Sequence, residues 1–136
     1  MSTTLSFVCV QNAGRSQMAT AFAKRLREQR GLENVEIKTG GTDPADEVHP
    51  VVAEAMAEVG IDLAGHNPRA ISRDELVDSD IVLTMGCSAE GICPATWRGD
   101  ARDWDLTDPH GRPLEEVRVI RAEIERRVEA LFDELE

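Results

Sequence analysis

The chain has 136 residues, with 26 acidic side chains against 15 basic ones and a formal charge of −11, a balance that repels nucleic acid and anionic membranes. That length is about one domain's worth and can bury a sizeable core, and no linker-like run, low-complexity tract or repeat divides residues 1–136, so a single domain is expected. No N-terminal apolar stretch approaches the roughly 20 residues of a membrane span, and Met1-Ser2-Thr3-Thr4 lacks the basic start of a signal peptide, so a cytoplasmic protein is expected.

Leu5-Ser6-Phe7-Val8 alternates as a strand does, and from Arg15 onward Met18, Phe22 and Leu26 recur at helical spacing. Cys9-Val10-Gln11-Asn12-Ala13-Gly14-Arg15-Ser16 is therefore the strand-to-helix turn of a βα unit. Backbone N–H groups at such a turn, together with the helix dipole, favour a bound anion, and a tetrahedral oxyanion fits the cradle formed by Val10, Gln11, Asn12, Ala13, Gly14, Arg15 and Ser16. The Arg15 guanidinium offers two parallel donors to two oxygens of one such group. The same positive surroundings favour the thiolate of Cys9, which is the nucleophilic form. Ser16 is placed to donate to the sulfur, and Asn12 to hold the loop through side-chain to backbone bonds. The bland alternative is that Cys9 is a small core residue ending a buried strand.

The first helix is expected over about Arg15 to Arg30, with Met18, Ala19, Phe22 and Leu26 inward and Gly31 placed to end it. Val35 and Ile37 alternate with polar neighbours as a second strand, and Gly40-Gly41-Thr42-Asp43-Pro44 is expected to follow as a loop. These glycines lack the Gly-Lys-Ser/Thr and Gly-x-Gly-x-x-Gly patterns of nucleotide sites. His49-Pro50 introduces a helix with Val52, Met56 and Val59 on one face and Gly60 as its stop. His49 reads as a capping or packing residue, with a base or ligand role as the alternative. His66 and His110 are isolated, so no metal is expected.

Ser72-x-x-Glu75 is a capping-box signature for a short helix over about Ser72 to Val77. Asp80-Ile81-Val82-Leu83-Thr84-Met85 is a nearly continuous apolar run, as expected of a strand buried on both faces, and Gly86-Cys87 lies at its end. The segment through Trp97 and Trp104 has room for one more short strand. From Pro113 a long helix places Val117, Ile120, Ile124, Val128 and Leu131 on one face, with Glu123 and Arg127 paired on the other. Strands alternating with helices indicate an α/β domain with a parallel sheet, whose ligands bind beyond the carboxyl ends of the strands.

Three cysteines, Cys9, Cys87 and Cys93, make an odd count, which favours thiol chemistry or metal binding over a structural disulfide framework, and Cys-x5-Cys with no nearby histidine is poor zinc spacing. Inert core cysteines remain the alternative for Cys87 and Cys93. Lysine is confined to Lys24 and Lys38, and this acid-rich, lysine-poor balance looks like that of proteins from hypersaline cytoplasm.

Cys-x5-Arg-Ser directly after the first strand resembles the phosphate loop of the low-molecular-weight protein tyrosine phosphatase superfamily. Thr39-Gly40-Gly41-Thr42-Asp43-Pro44, His49-Pro50, Cys87 through Cys93 and Asp105-Leu106-Thr107-Asp108-Pro109 make the rest of the chain similar to its arsenate reductase branch. The resemblance implies a three-layer domain with a four-stranded parallel sheet of order 2-1-3-4 flanked by helices. It implies reduction of arsenate to arsenite, with Cys9 attacking the oxyanion, Cys87 attacking the Cys9 adduct and Cys93 carrying the disulfide outward. It also implies that Asp108 is the general acid, with Asp105 as the second candidate. No bound cofactor is implied, since a thioredoxin-like protein or a small thiol would supply the electrons. Two other readings remain open at this point: a phosphatase working through a cysteinyl-phosphate, and a phosphoryl carrier or thiol sensor without turnover. Against the phosphatase, His110-Gly111 stands where an aromatic grip on the substrate ring is usual, and the chain contains no tyrosine.

Overall fold

Four parallel strands carry the fold in the computed structural model, which describes residues 3–63, 65–85 and 100–135. The central pair is β1 (Thr3–Cys9) and β3 (Ile81–Met85); β2 (Val35–Gly41) and β4 (Asp100–Asp103) lie outside them, giving the order β2-β1-β3-β4. This is the order the family resemblance implied. Every pairing is parallel, so the strands end at one edge, where Cys9 is in register with Gly41 on one side and Met85 on the other.

Alternation along β1 builds the layers. Leu5, Phe7 and Cys9 face the large cluster formed with Met18 and Phe22 of α1 (Arg15–Arg30), Val52 and Met56 of α2 (Pro50–Ala57) and the apolar face of α4 (Leu114–Leu135). Val8 and Val82 point the other way, onto Leu76 of α3 (Arg73–Val77). The sheet is thus covered on both faces, which is why all five residues of β3 are buried.

Local signals set the helix ends. Gly31 takes φ 64° and ends α1, with Leu32 N–H donating to the Arg27 carbonyl at 3.0 Å, the left-handed closure glycine favours. At α3, Ser72 Oγ accepts from Glu75 N–H and Glu75 Oε1 accepts from Ser72 N–H, each at 3.2 Å, forming the expected capping box. In α4 the expected inward residues are buried, and Phe132 joins them. The short strand expected between Trp97 and Trp104 is β4, an exposed charged edge of the kind that resists further strand pairing.

One expectation is corrected. Gly40 and Gly41 are not loop residues but the last two of β2. A Cβ on Gly40 would sit 2.5 Å from Ile71 Cβ, and one on Gly41 would sit 2.5 Å from the Val10 carbonyl oxygen. Glycine is required here because two backbones approach closely, not because the chain turns.

Glu58, just past α2, is held by α4. Arg118 Nε and Arg121 Nη1 each donate to its Oε1 at 2.9 Å, and these bonds, Arg118 first, pull the carboxyl from an ordinary 4.5 down to about 2. A folded pKa below the unfolded one gives stabilisation that is present above about 4.5 and lost as pH falls toward 2. Glu58→Gln is therefore expected to lower Tm slightly at pH 7, with the gap closing over that acid range in thermal melts. A gap independent of pH would contradict the tether. Among the described residues no helix is long and apolar enough to cross a membrane.

Candidate active site

The turn after β1 is tied down from outside. The carbonyls of Cys9, Val10, Gln11 and Ala13 accept from the N–H groups of Thr42, Asp43, Ala45 and His49 at 2.8–3.2 Å, and the Asn12 carbonyl accepts from Gln17 Nε2 at 3.0 Å. In a trans peptide the next N–H runs antiparallel to each carbonyl. Fixing these carbonyls outward therefore turns the N–H groups of residues 10–14 toward the opposite, concave side, forming a nest for negative charge.

Asn12 locks that shape. It takes φ 52°, a left-handed conformation that Asn tolerates better than most residues. Its side-chain amide donates to Ser16 Oγ at 2.7 Å and Thr39 Oγ1 at 2.9 Å, and accepts from Arg69 N–H at 3.1 Å and Gln17 Nε2 at 3.2 Å. Two donors and two lone pairs are all used.

Cys9 is 3% exposed, yet its sulfur is not in apolar packing alone. Asn12 N–H donates to Sγ at 3.1 Å, and Ser16 Oγ lies 2.7 Å from it. Because Ser16 Oγ already accepts from Asn12, its own proton is free to point at the sulfur. The sulfur thus sits among polar groups at the head of the loop.

A pocket of about 280 Å³ opens over the sulfur, lined by Cys9, Val10, Gln11, Gly14, Arg15, His49, Asp108 and His110. Of the expected cradle, Asn12, Ala13 and Ser16 are buried behind this lining. Arg15 Nη1 is anchored on the Leu106 carbonyl at 2.9 Å, and Nη2 lies 3.8 Å from Asp108 Oδ2. With Asp108 57% exposed, that long contact contributes at most about 1 kcal/mol. Pro109 packs so closely on the loop that a Cβ on Gly14 would lie 2.8 Å from its Cγ, which seats Asp108 at the pocket. Asp105 does not line it.

Sequence reasoning treated His49 as packing and His110 as isolated. The structure stacks their rings at 4.5 Å and 8° on the pocket wall. Burial, then the neighbouring His110, push the His49 pKa below 6.5, while Asp108 pulls it up. Thr39, Gln17 and Arg69, which hold Asn12, were also missed; none carries a spacing signal. A larger groove of about 830 Å³ beside the second half of α1 is lined by none of Cys9, Arg15 and Asp108 and lies apart from this chemistry.

Gly41 is the loop's tightest neighbour. Gly41→Ala would force a methyl group against Val10 O at 2.5 Å and Asn12 N at 3.1 Å. We expect it to destabilise the protein by about 1–3 kcal/mol and to weaken binding of inorganic phosphate, both measurable by calorimetry. Wild-type values would contradict this packing.

Cys87 and Cys93 lie outside the described residues. Met85, which precedes Cys87 by two positions, is paired with Cys9 in the sheet.

Residues 4–136 match the family described as low molecular weight phosphotyrosine protein phosphatase. The chain is 58% identical to the "Putative arsenate reductase" of Halobacterium salinarum, over 98% of this chain and 93% of that relative. Its fold is similar to a solved structure described as an arsenate reductase in the phosphate binding state, with TM-score 0.81, 33% identity and coverage of 98% and 99% of the two chains. It also resembles the Corynebacterium glutamicum thioredoxin-dependent arsenate reductase, with TM-score 0.79 and 32% identity over 98% of this chain, which spans 61% of that protein's length.

Proposed function

The chain belongs to the low-molecular-weight phosphotyrosine protein phosphatase family, and from that footing we propose that it is a cytoplasmic arsenate reductase driven by an external thiol. The observation that carries the reading is the sulfur of Cys9 held by Asn12 N–H and beside Ser16 Oγ, in one pocket with Arg15 and Asp108. Its named relatives support the choice of arsenate.

Arsenate docks with its oxygens on the N–H nest and on the Arg15 fork. The Cys9 thiolate attacks arsenic, forming an S–As bond, while Asp108 gives a proton to the departing oxygen, which leaves as water. Cys87 thiolate then attacks Cys9 Sγ. A disulfide forms, the S–As bond breaks, and its electron pair stays on arsenic, giving arsenite. Cys93 exchanges with Cys9 for Cys87 and restores the Cys9 thiolate, and a thioredoxin-like protein or a small thiol reduces the Cys87–Cys93 disulfide. Two electrons are transferred, so the second and third sulfurs have work that a phosphatase would not give them.

Sheet geometry supports the first exchange. Neighbouring strands lie about 4.8 Å apart, Met85 is the partner of Cys9, and two residues of chain span at most about 7 Å. The Cα separation of a disulfide, at most about 7 Å, is within that reach.

Incubation with arsenate, thioredoxin, thioredoxin reductase and NADPH is expected to yield one arsenite per NADPH consumed. Hydrolysis of an aryl phosphate without arsenite release would instead establish a phosphatase, and stable modification of Cys9 without turnover would establish a carrier or sensor. The acid-rich composition and the Halobacterium salinarum relative support a high-salt setting. Tm is accordingly expected to rise from dilute buffer to molar KCl as like charges are screened; a flat response would contradict that part of the reading.

A further inference from the structure

The oxyanion pocket has a wall that the reductase steps leave unused. His49, at the start of α2, and His110, directly after Asp108-Pro109, stack face to face at 4.5 Å and 8°, and both line the pocket with Cys9 and Arg15. Two imidazolium rings at that distance repel each other, and the neighbouring His110 opposes protonation of His49.

The charges facing the pair can be named from each element around it. The loop contributes Arg15, which opposes protonation, and Cys9, whose thiolate favours it; the segment after β4 contributes Asp108, which also favours it. Asp43, Asp46 and Glu47, on the stretch that wraps the loop, are exposed and do not line the pocket. An arriving dianion adds two negative charges beside the pair, which lines the same pocket.

We propose that the His49–His110 stack is a specificity-determining, proton-accepting wall: it takes one proton from solvent as a dianionic tetrahedral oxyanion enters the pocket, and so favours the dianion over singly charged or neutral species. This rests on the reading of the pocket as an oxyanion site. The proton adds a second cation to the pocket that Arg15 also lines. No stacking partner for a substrate ring is needed, which fits an inorganic anion.

The chain has only three histidines, and the third, His66, lines the separate groove beside α1, so it serves as an internal reference. Imidazole signals of the reduced wild-type protein should be followed by NMR over about pH 5.5 to 8.5, with and without saturating inorganic phosphate. The midpoints of His49 and His110 are expected to rise by roughly one unit or more when phosphate binds, while His66 stays put. Calorimetry in two buffers of different ionisation enthalpy is expected to show proton uptake that disappears in His49→Gln/His110→Gln. Bound phosphate with unmoved His49 and His110 midpoints would overturn the proposal and leave the oxyanion site standing, as would proton uptake persisting in the double variant. Absence of saturable phosphate binding would overturn both.

Discussion

Cys9→Ser is expected to release no arsenite above background with any thiol donor. The hydroxyl is not ionised at neutral pH, so attack on arsenic fails; and oxygen cannot form the disulfide that holds the two electrons, so reduction would fail even if attack occurred. The fold and the anion site should survive. The N–H groups of residues 10–14 are oriented by the outward-tied carbonyls of Cys9 to Ala13 and not by the sulfur. Inorganic phosphate should therefore still bind, with Tm near that of the wild type. Arsenite release at more than a few per cent of the wild-type rate would contradict the assignment of Cys9, whereas loss of phosphate binding would mean that the sulfur also builds the nest.

Arg15→Lys should be nearly as damaging, although it keeps the positive charge. Arg15 spans two positions at once, with Nη1 on the Leu106 carbonyl at 2.9 Å and Nη2 facing Asp108. A lysine ammonium is a single point donor that cannot anchor on Leu106 and present a fork to two oxygens together. We expect kcat/KM for arsenate to fall roughly 10²- to 10³-fold, the loss seen when one preorganised oxyanion donor is removed. The accompanying destabilisation should be only about 1 kcal/mol, for the lost bond to Leu106. Activity within tenfold of the wild type would show that charge alone suffices at this position.

The β1–loop–α1 unit was legible because all its signals are local: alternation up to Val8, helical spacing from Arg15, and Cys-x5-Arg-Ser between them. The capping box at Ser72 and the Gly31 stop were legible for the same reason. Periodicity did not supply the sheet order, which came from family resemblance, since nothing in a strand's own residues names its neighbour. Gly40-Gly41 misled because glycine has two uses, turning a chain and admitting another backbone; only the approach of Ile71 and of the loop distinguishes them. Asn12 was recognised as a loop holder, but its partners Thr39 and Arg69 come from distant parts of the chain. The His49–His110 stack depends in the same way on two segments meeting over the pocket. Its one local hint was the position of His110 beside Asp108-Pro109.

The two electrons reaching arsenic come from Cys9 and Cys87 as their sulfurs join. Cys93→Ser halts the relay after its first exchange, so a single turnover with arsenate and no added thiol, followed by proteolysis and mass spectrometry, isolates that step. We expect one arsenite per chain and a single disulfide joining the Cys9 and Cys87 peptides. Arsenite released with both sulfurs still reduced, or a bridge that leaves Cys9 out, would contradict it.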